Sequence, residues 1–376
     1  MSKTNGKLKK KQSNFDYSLL FLILFLLCFG LVMLYSTSSY DAMLSGLPAD
    51  YYLKKQIFAT CIGLGVMAFA AAVDYRLWQR FALIAYFVAI VLIFLVLTPL
   101  GIERNGARRW IGIGESLSFQ PAEFAKLAVI VFLAMIVSKM GKEALSTFRG
   151  VATLLVLASV IAGLIAVVTD NLSSAIIILG IAFLMLFVAS PKSRYFIIMG
   201  VVGVMAIAAF ILLGDSFRMG RIEVWLHPEE SPLEGAYQVL QGLYAIGSGG
   251  LTGKGLGNSV QKLGFVPEAQ NDYIFTIICE ELGMFGGICV ILLFACMIWR
   301  FMVIANNAPD LFGSMLVVGI MAHIAIQVVL NIAVVTNSIP NTGVTLPFIS
   351  YGGTSILFLL AEMGLALSVS LRIRSK

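Results

Sequence analysis

Apolar residues run along this chain in long blocks, broken by short polar ones. The basic start "MSKTNGKLKKKQSNFDYSLL" leads into an apolar run of about 20 residues, long enough to span a bilayer. That run ends in "YSTSSY" without a small-residue cleavage pattern, so a retained first helix is predicted rather than a removed signal peptide. Similar runs recur to the end of the chain. The spans read from them are 17–38, 57–73, 81–98, 122–138, 151–168, 172–189, 195–213, 273–299, 312–335 and 352–371. Only "TDN" separates the fifth from the sixth, which predicts a tight helical hairpin. The predicted fold class is an all-α polytopic membrane protein of about ten transmembrane helices.

The polar breaks are unequal. Loops of 99–121 and 214–272 and the segment "NSIPNTGVTLPFISYGG" all fall on one side of the predicted bundle, and the connections on the other side are short and plain. Residues 1–16 read as a basic tail, 17–371 as the ten-span domain with its large loop at 214–272, and 372–376 as a second short tail.

Composition agrees with a membrane chain. It is 59% hydrophobic and 12% charged, with a mean hydropathy of +0.94. Soluble domains carry about 25% charged residues, so that class is excluded. The five cysteines sit in apolar runs and read as small core residues, and the two histidines are too far apart for a His-rich metal site. Charge then sets direction. With a cytoplasmic N-terminus, sixteen of the 26 Lys and Arg fall on inner segments and nine on outer ones, and Lys126 lies within a span. This bias places both termini inside and the long loops outside the cell. The net charge of +6 therefore faces anionic lipid and gives no reason to expect nucleic acid.

Candidate chemistry gathers on the outer side. In "FVPEAQNDYIFTIICEELGMFGG", Asp272 stands at the threshold of the eighth span. A carboxylate there suits a general base, and equally an ordinary helix cap. Glu280 and Glu281 follow within the apolar run, with no partner named by the sequence. In "QPAEFAKLAVI", Glu123 and Lys126 are three apart on one helical face, as an intramembrane ion pair or a packing clamp. Arg108 and Arg109 in "NGARRWIGIG", and Arg218 and Arg221 in "SFRMGRIEVW", are candidates to hold a phosphate or lipid head groups. Gln238 and Gln241 share a face of a short predicted helix that ends in "GSGGLTGKGLGNSVQK", which contains Ser248 and Lys262. The glycine spacing before Lys254 is one residue too long for a phosphate loop, and Gly255 stands where Ser or Thr is needed.

These stretches together resemble one family. "PNTGVTLPFISYGGTS" resembles the signature of the SEDS proteins, the group that includes FtsW, RodA and SpoVE. "NGARRWI…QPAEFAK", "YQVLQ…AIGSGGLTGKGLGNSVQK" and "VPEAQNDYIFTIICEELG" are similar to its other blocks, in the same order. "GLVMLYSTSS" and Thr345 resemble FtsW or SpoVE more than RodA. The resemblance implies a multi-pass protein of the bacterial cytoplasmic membrane that polymerises peptidoglycan from lipid II at the outer face, in division or a related wall-synthesis process. It implies inverting glycosyl transfer with Asp272 as base, aided by Glu123 and Lys126. Arg108, Arg109, Arg218 and Arg221 would meet the pyrophosphate. Gln238, Gln241, Ser248, Lys262, Thr342, Pro347, Ser350 and Tyr351 would line the substrate site. No cofactor set is dedicated in the sequence; a divalent cation remains open as a helper. The partners implied are lipid II, polyprenyl-pyrophosphate-linked glycan, a class B penicillin-binding transpeptidase and other wall-synthesis membrane proteins. "TDNLSS" departs from the family's Gln-Pro-Asp-Leu-Gly type turn, so no role is carried to Asp170. The rival reading is a lipid II flippase, for which the ionisable residues inside the spans would form a path.

Overall fold

The computed structural model describes residues 15–373 except 105, 114–116, 193, 213–222 and 231–235. Its spanning helices are α1 (Tyr17–Leu44), α2 (Tyr51–Ala72), α3 (Tyr75–Leu95), α4 (Pro121–Lys139), α6 (Phe148–Val168), α7 (Leu172–Ala189), α8 (Arg194–Leu212), α10 (Ile274–Asn307), α11 (Leu311–Val335) and α12 (Gly353–Ser370). Two further helices, α5 (Lys142–Leu145) and α9 (Tyr237–Gly249), lie in connections. Nine of these helices are long and apolar enough to cross a membrane among the described residues. The counterpart of the seventh predicted span, α8, is apolar over its described stretch Arg194–Gly203.

Helix starts follow local chemistry. Asp16, Asn171 and Asp310 accept backbone N–H groups at the starts of α1, α7 and α11, and Pro121 opens α4 where a missing N–H costs nothing. The "TDN" segment closes the α6–α7 hairpin as expected. One outer segment differs from a purely helical reading. Residues of the 99–121 loop form a three-stranded antiparallel sheet, β1 (Gly101–Arg104), β2 (Ala107–Ile113) and β3 (Leu117–Phe119), in the order β1-β2-β3. Its register pairs Ile102 with Trp110 and Ile111 with Phe119.

At the centre of the bundle is α4, with 78% of its span buried against 22% for α3. Around it pack α3, α7 and α11, and α12 lies along α2. Polar groups mark one end of the bundle. Arg300 donates to both oxygens of Asp16, the Asp16 N–H reaches the Ser370 hydroxyl, Tyr75 and Arg76 donate to Asp310, and Arg372 pairs with Asp74. Both ends of the described chain emerge here, as predicted from charge.

From that end, α10 sets the height of the other. Asp272 lies just before the first residue of α10, at the end of that helix away from Arg300, and Glu280 lies within its first two turns. The helix is broken at Gly283 (φ 69°, ψ −172°), which frees backbone groups on either side. The turn after α9 takes them up: Lys254 and Gly255 donate to the carbonyls of Glu280 and Glu281, and Met284 and Phe285 donate to Gly250 and Leu251.

Candidate functional site

The outer site is built around the N-terminus of α10. Asp272 is 9% exposed, and its Oδ1 has no hydrogen-bond partner. Burial, reinforced by the Glu268 charge, pushes its carboxyl up to about 7. At that value the group exchanges a proton near neutral pH, as a general base must. The backbone around it is fixed from α11. Asn331 donates to the carbonyls of both Asp272 and Val344 at 2.7 Å, so one side chain joins Asp272 to the segment between α11 and α12. Across from the carboxylate lies Gly343, where a Cβ would sit 3.7 Å from Oδ2.

The Pro340–Gly353 segment is tied down on all sides. Gln327 donates to Thr345, Ser173 to the Thr342 carbonyl, Asn341 to Gln238, and the Tyr351 N–H to Gln270. Gln270 in turn reaches Asp41 of α1. Phe348 holds a positive φ of 64°, uncommon for a bulky residue, and Asp170, Glu268 and Asn337 share that sign. All four lie in the outer connections. Backbone strain of this kind concentrates where a rigid surround dictates the shape of a site.

Several expected site residues find defined places. Glu123 and Lys126 form an ion pair at 2.8 Å, with Lys126 only 2% exposed. Gln238 bridges Pro267 and Asn341 at the top of α9, and Gln241, one turn on, is half-buried. Thr342 stands beside Gly343. Pro347 and Ser350 are buried within their own loop, where the Ser350 hydroxyl accepts the Leu346 N–H. Tyr351 packs edge-on against Tyr52.

Other expectations are corrected. Arg108 and Arg109 do not hold one phosphate together, because they are neighbours on β2 and successive strand residues face opposite ways. Arg109 donates to the Asp170 carbonyl, and Arg108 is exposed opposite Glu103. Lys262 is not open to a ligand: its ammonium donates to Glu281, Ser36 and the Gly257 carbonyl. Ser248 lies by the Glu280 carboxylate, which also takes Lys254. Glu280 and Glu281 are thus the anchors of the glycine-rich turn. Arg218 and Arg221 lie outside the described residues.

Sequence reasoning missed Asn331, Gln327 and His323, all buried on α11. Their signal was present: polar residues four apart in an otherwise apolar span mark one functional helix face.

Comparison with known proteins fits this architecture. The family model for FtsW, RodA and SpoVE, described as "Cell cycle protein", matches residues 17–375. The chain belongs to that family. It is 42% identical to the stage V sporulation protein E of Bacillus subtilis, over 96% of this chain and 98% of that protein. It is 36% identical to a probable peptidoglycan glycosyltransferase FtsW of Trichlorobacter lovleyi, over 95% and 93%. Among solved structures, a chain of a peptidoglycan synthase complex that coordinates polymerization and crosslinking superposes with a TM-score of 0.80 at 26% identity, covering 96% of this chain and 99% of that one. The rod shape determining protein RodA of Thermus thermophilus gives a TM-score of 0.69 at 26% identity, over 96% and 98%.

Proposed function

We propose that this protein is a peptidoglycan glycosyltransferase that joins lipid II to a lipid-linked glycan strand at the outer face of the membrane, with inversion and with Asp272 as general base. The observation that carries this reading is Asp272 itself: a buried carboxylate with an unfilled oxygen, titrating near neutrality, at the opening of α10. The names of the similar proteins support the choice of reaction.

In this reading Asp272 accepts the proton of the acceptor sugar hydroxyl as that oxygen attacks the anomeric carbon of the donor. The bond to the polyprenyl pyrophosphate breaks on the opposite side, and the leaving group carries away the electron pair. Fixed cations stabilise that charge. Lys126, held by Glu123, and the exposed Arg108 are the described candidates, with Arg218 and Arg221 as further ones from the sequence. Among the described residues, no group of three or more His, Cys, Asp or Glu can hold a metal, and no step is routed through one. A class B penicillin-binding transpeptidase is the proposed crosslinking partner.

The test is polymer formation from lipid II by purified protein in detergent, with and without the transpeptidase. There a flippase has no two sides to act between and makes no polymer. Asp272→Asn is expected to abolish polymer formation while elution and thermal unfolding stay as in the parent, since it removes only a buried charge. Activity retained in Asp272→Asn removes that residue from the base role.

A further inference from the structure

Helices α4, α11 and α12 enclose four ionisable side chains. Glu123 and Lys126 come from α4, His323 from α11 and Glu362 from α12, and none is more than 7% exposed. His323 Nδ1 lies 2.8 Å from Glu362 Oε2. His323 stands 12 residues into α11, about 18 Å from its start, well inside the hydrocarbon. Ionisable groups at such depth are costly and are rarely retained without a task. The mechanism above uses Lys126 and Glu123 and leaves His323 and Glu362 without one.

Three polar atoms of this cluster lack a hydrogen-bond partner: His323 Nε2, Glu362 Oε1 and Glu123 Oε2. His323 lies within electrostatic reach of the Glu123 carboxylate, which Ser355 of α12 also faces. With both acids ionised, Lys126 balances only one of two negative charges. One further proton makes the enclosure neutral, which its low polarity favours, and on the imidazole, the group placed between the two acids, it gives each carboxylate a charged donor. It also makes both ring nitrogens donors. Nδ1 then serves Glu362, and Nε2 serves Glu123 directly or through one buried water, of the kind that fills such gaps.

We propose that His323 is an imidazolium held between the carboxylates of Glu362 and Glu123, and that these two residues, His323 and Glu362, position the Glu123–Lys126 pair for glycosyl transfer. The role assigned to Lys126 rests on the polymerase reading; the charge state of the cluster does not. Glu123, shared between two cations, takes one of the three Lys126 donors. The other two remain for developing negative charge on the leaving group. His323 and Glu362 touch no substrate and act through Glu123.

The charge state can be read in the unaltered protein. The chain has two histidines, and His227 has a 60% exposed side chain, so nitrogen-15 histidine labelling gives one solvated and one enclosed ring. The enclosed ring is expected to show protons on both nitrogens at neutral pH. One bare nitrogen on that ring overturns the proposal. Kinetics test the positioning role. His323→Gln and Glu362→Gln are each expected to lower kcat about tenfold or more, with KM for lipid II nearly unchanged, as for misplacement of a reacting group. The double variant should be no slower than the slower single one, because the two act as a unit. Full activity in both single variants overturns the positioning role, and a fall in folded yield without a fall in kcat does so too. An imidazolium signal from protein that makes no polymer would count against the polymerase reading and leave the cluster standing.

Discussion

A carboxylate beside water ordinarily titrates well below neutrality, and Asp272 differs because the loop after α11 and the start of α10 close over it. The sign of its pH dependence follows. In the proposed mechanism Asp272 works only when ionised, so kcat/KM is expected to rise through about pH 7 as the group loses its proton. Burial is the main cause and the Glu268 charge the second. Glu268→Gln should therefore move that limb to lower pH by a fraction of a unit, as measured in polymerisation rates across pH. A limb that stays in place would separate Glu268 from the base. At this scale the sequence was informative in part. The place of Asp272 was legible because an acid at the edge of an apolar run marks where a span begins. Lys262 was misread because its partner, Glu281, lies 19 positions away and is brought near only by the fold. The arginine pair could not be divided for a local reason: without a β2 strand in view, nothing showed that adjacent residues face opposite ways.

Among the elements, α10 and the glycine-rich turn behave as one unit. Gly253 has a positive φ of 80°, and a Cβ there would collide with the Glu281 carbonyl and Gly283 backbone. Gly253→Ala should cost about 1–3 kcal/mol through overpacking and strain, seen as a lower Tm. Glu281→Ala removes one partner from a buried pair and leaves the Lys262 ammonium enclosed, a loss of about 3–5 kcal/mol. Replacing both Glu281 and Lys262 by apolar residues should recover much of it, and unfolding in detergent checks the comparison. The glycine spacing ruled out a phosphate loop but gave no sign that these glycines pair with a break in a helix 30 residues on. The spans themselves were legible, most ends within a few residues, because apolar length in lipid admits few alternatives. The three strands were not, because short runs such as "LSF" carry too little periodicity.

For the molecule as a whole, one pair tests how the core and the outer site are joined. Exchanging Glu123 and Lys126 keeps the charge balance and reverses its direction. If Lys126 faces the leaving group, the exchanged protein should polymerise poorly per folded molecule; full polymerisation would mark the pair as a packing clamp. The arrangement of termini and loops was readable from charge alone, since it depends on a count along the chain rather than on contacts. The links between α4, α11 and α12 were not, because helix-to-helix neighbours in lipid are chosen by fine packing.

The length of α10 has a consequence for the host membrane. The two parts of α10, braced at Gly283 by the glycine-rich turn, fix Asp272 relative to the cytoplasmic rim, whereas the phosphates of the proposed substrate would ride on the opposite leaflet and move with its thickness. In vesicles of graded acyl length, turnover should peak at one width and decline on either side, even where the protein inserts equally well. Lipid composition would thereby tune wall synthesis without touching any side chain.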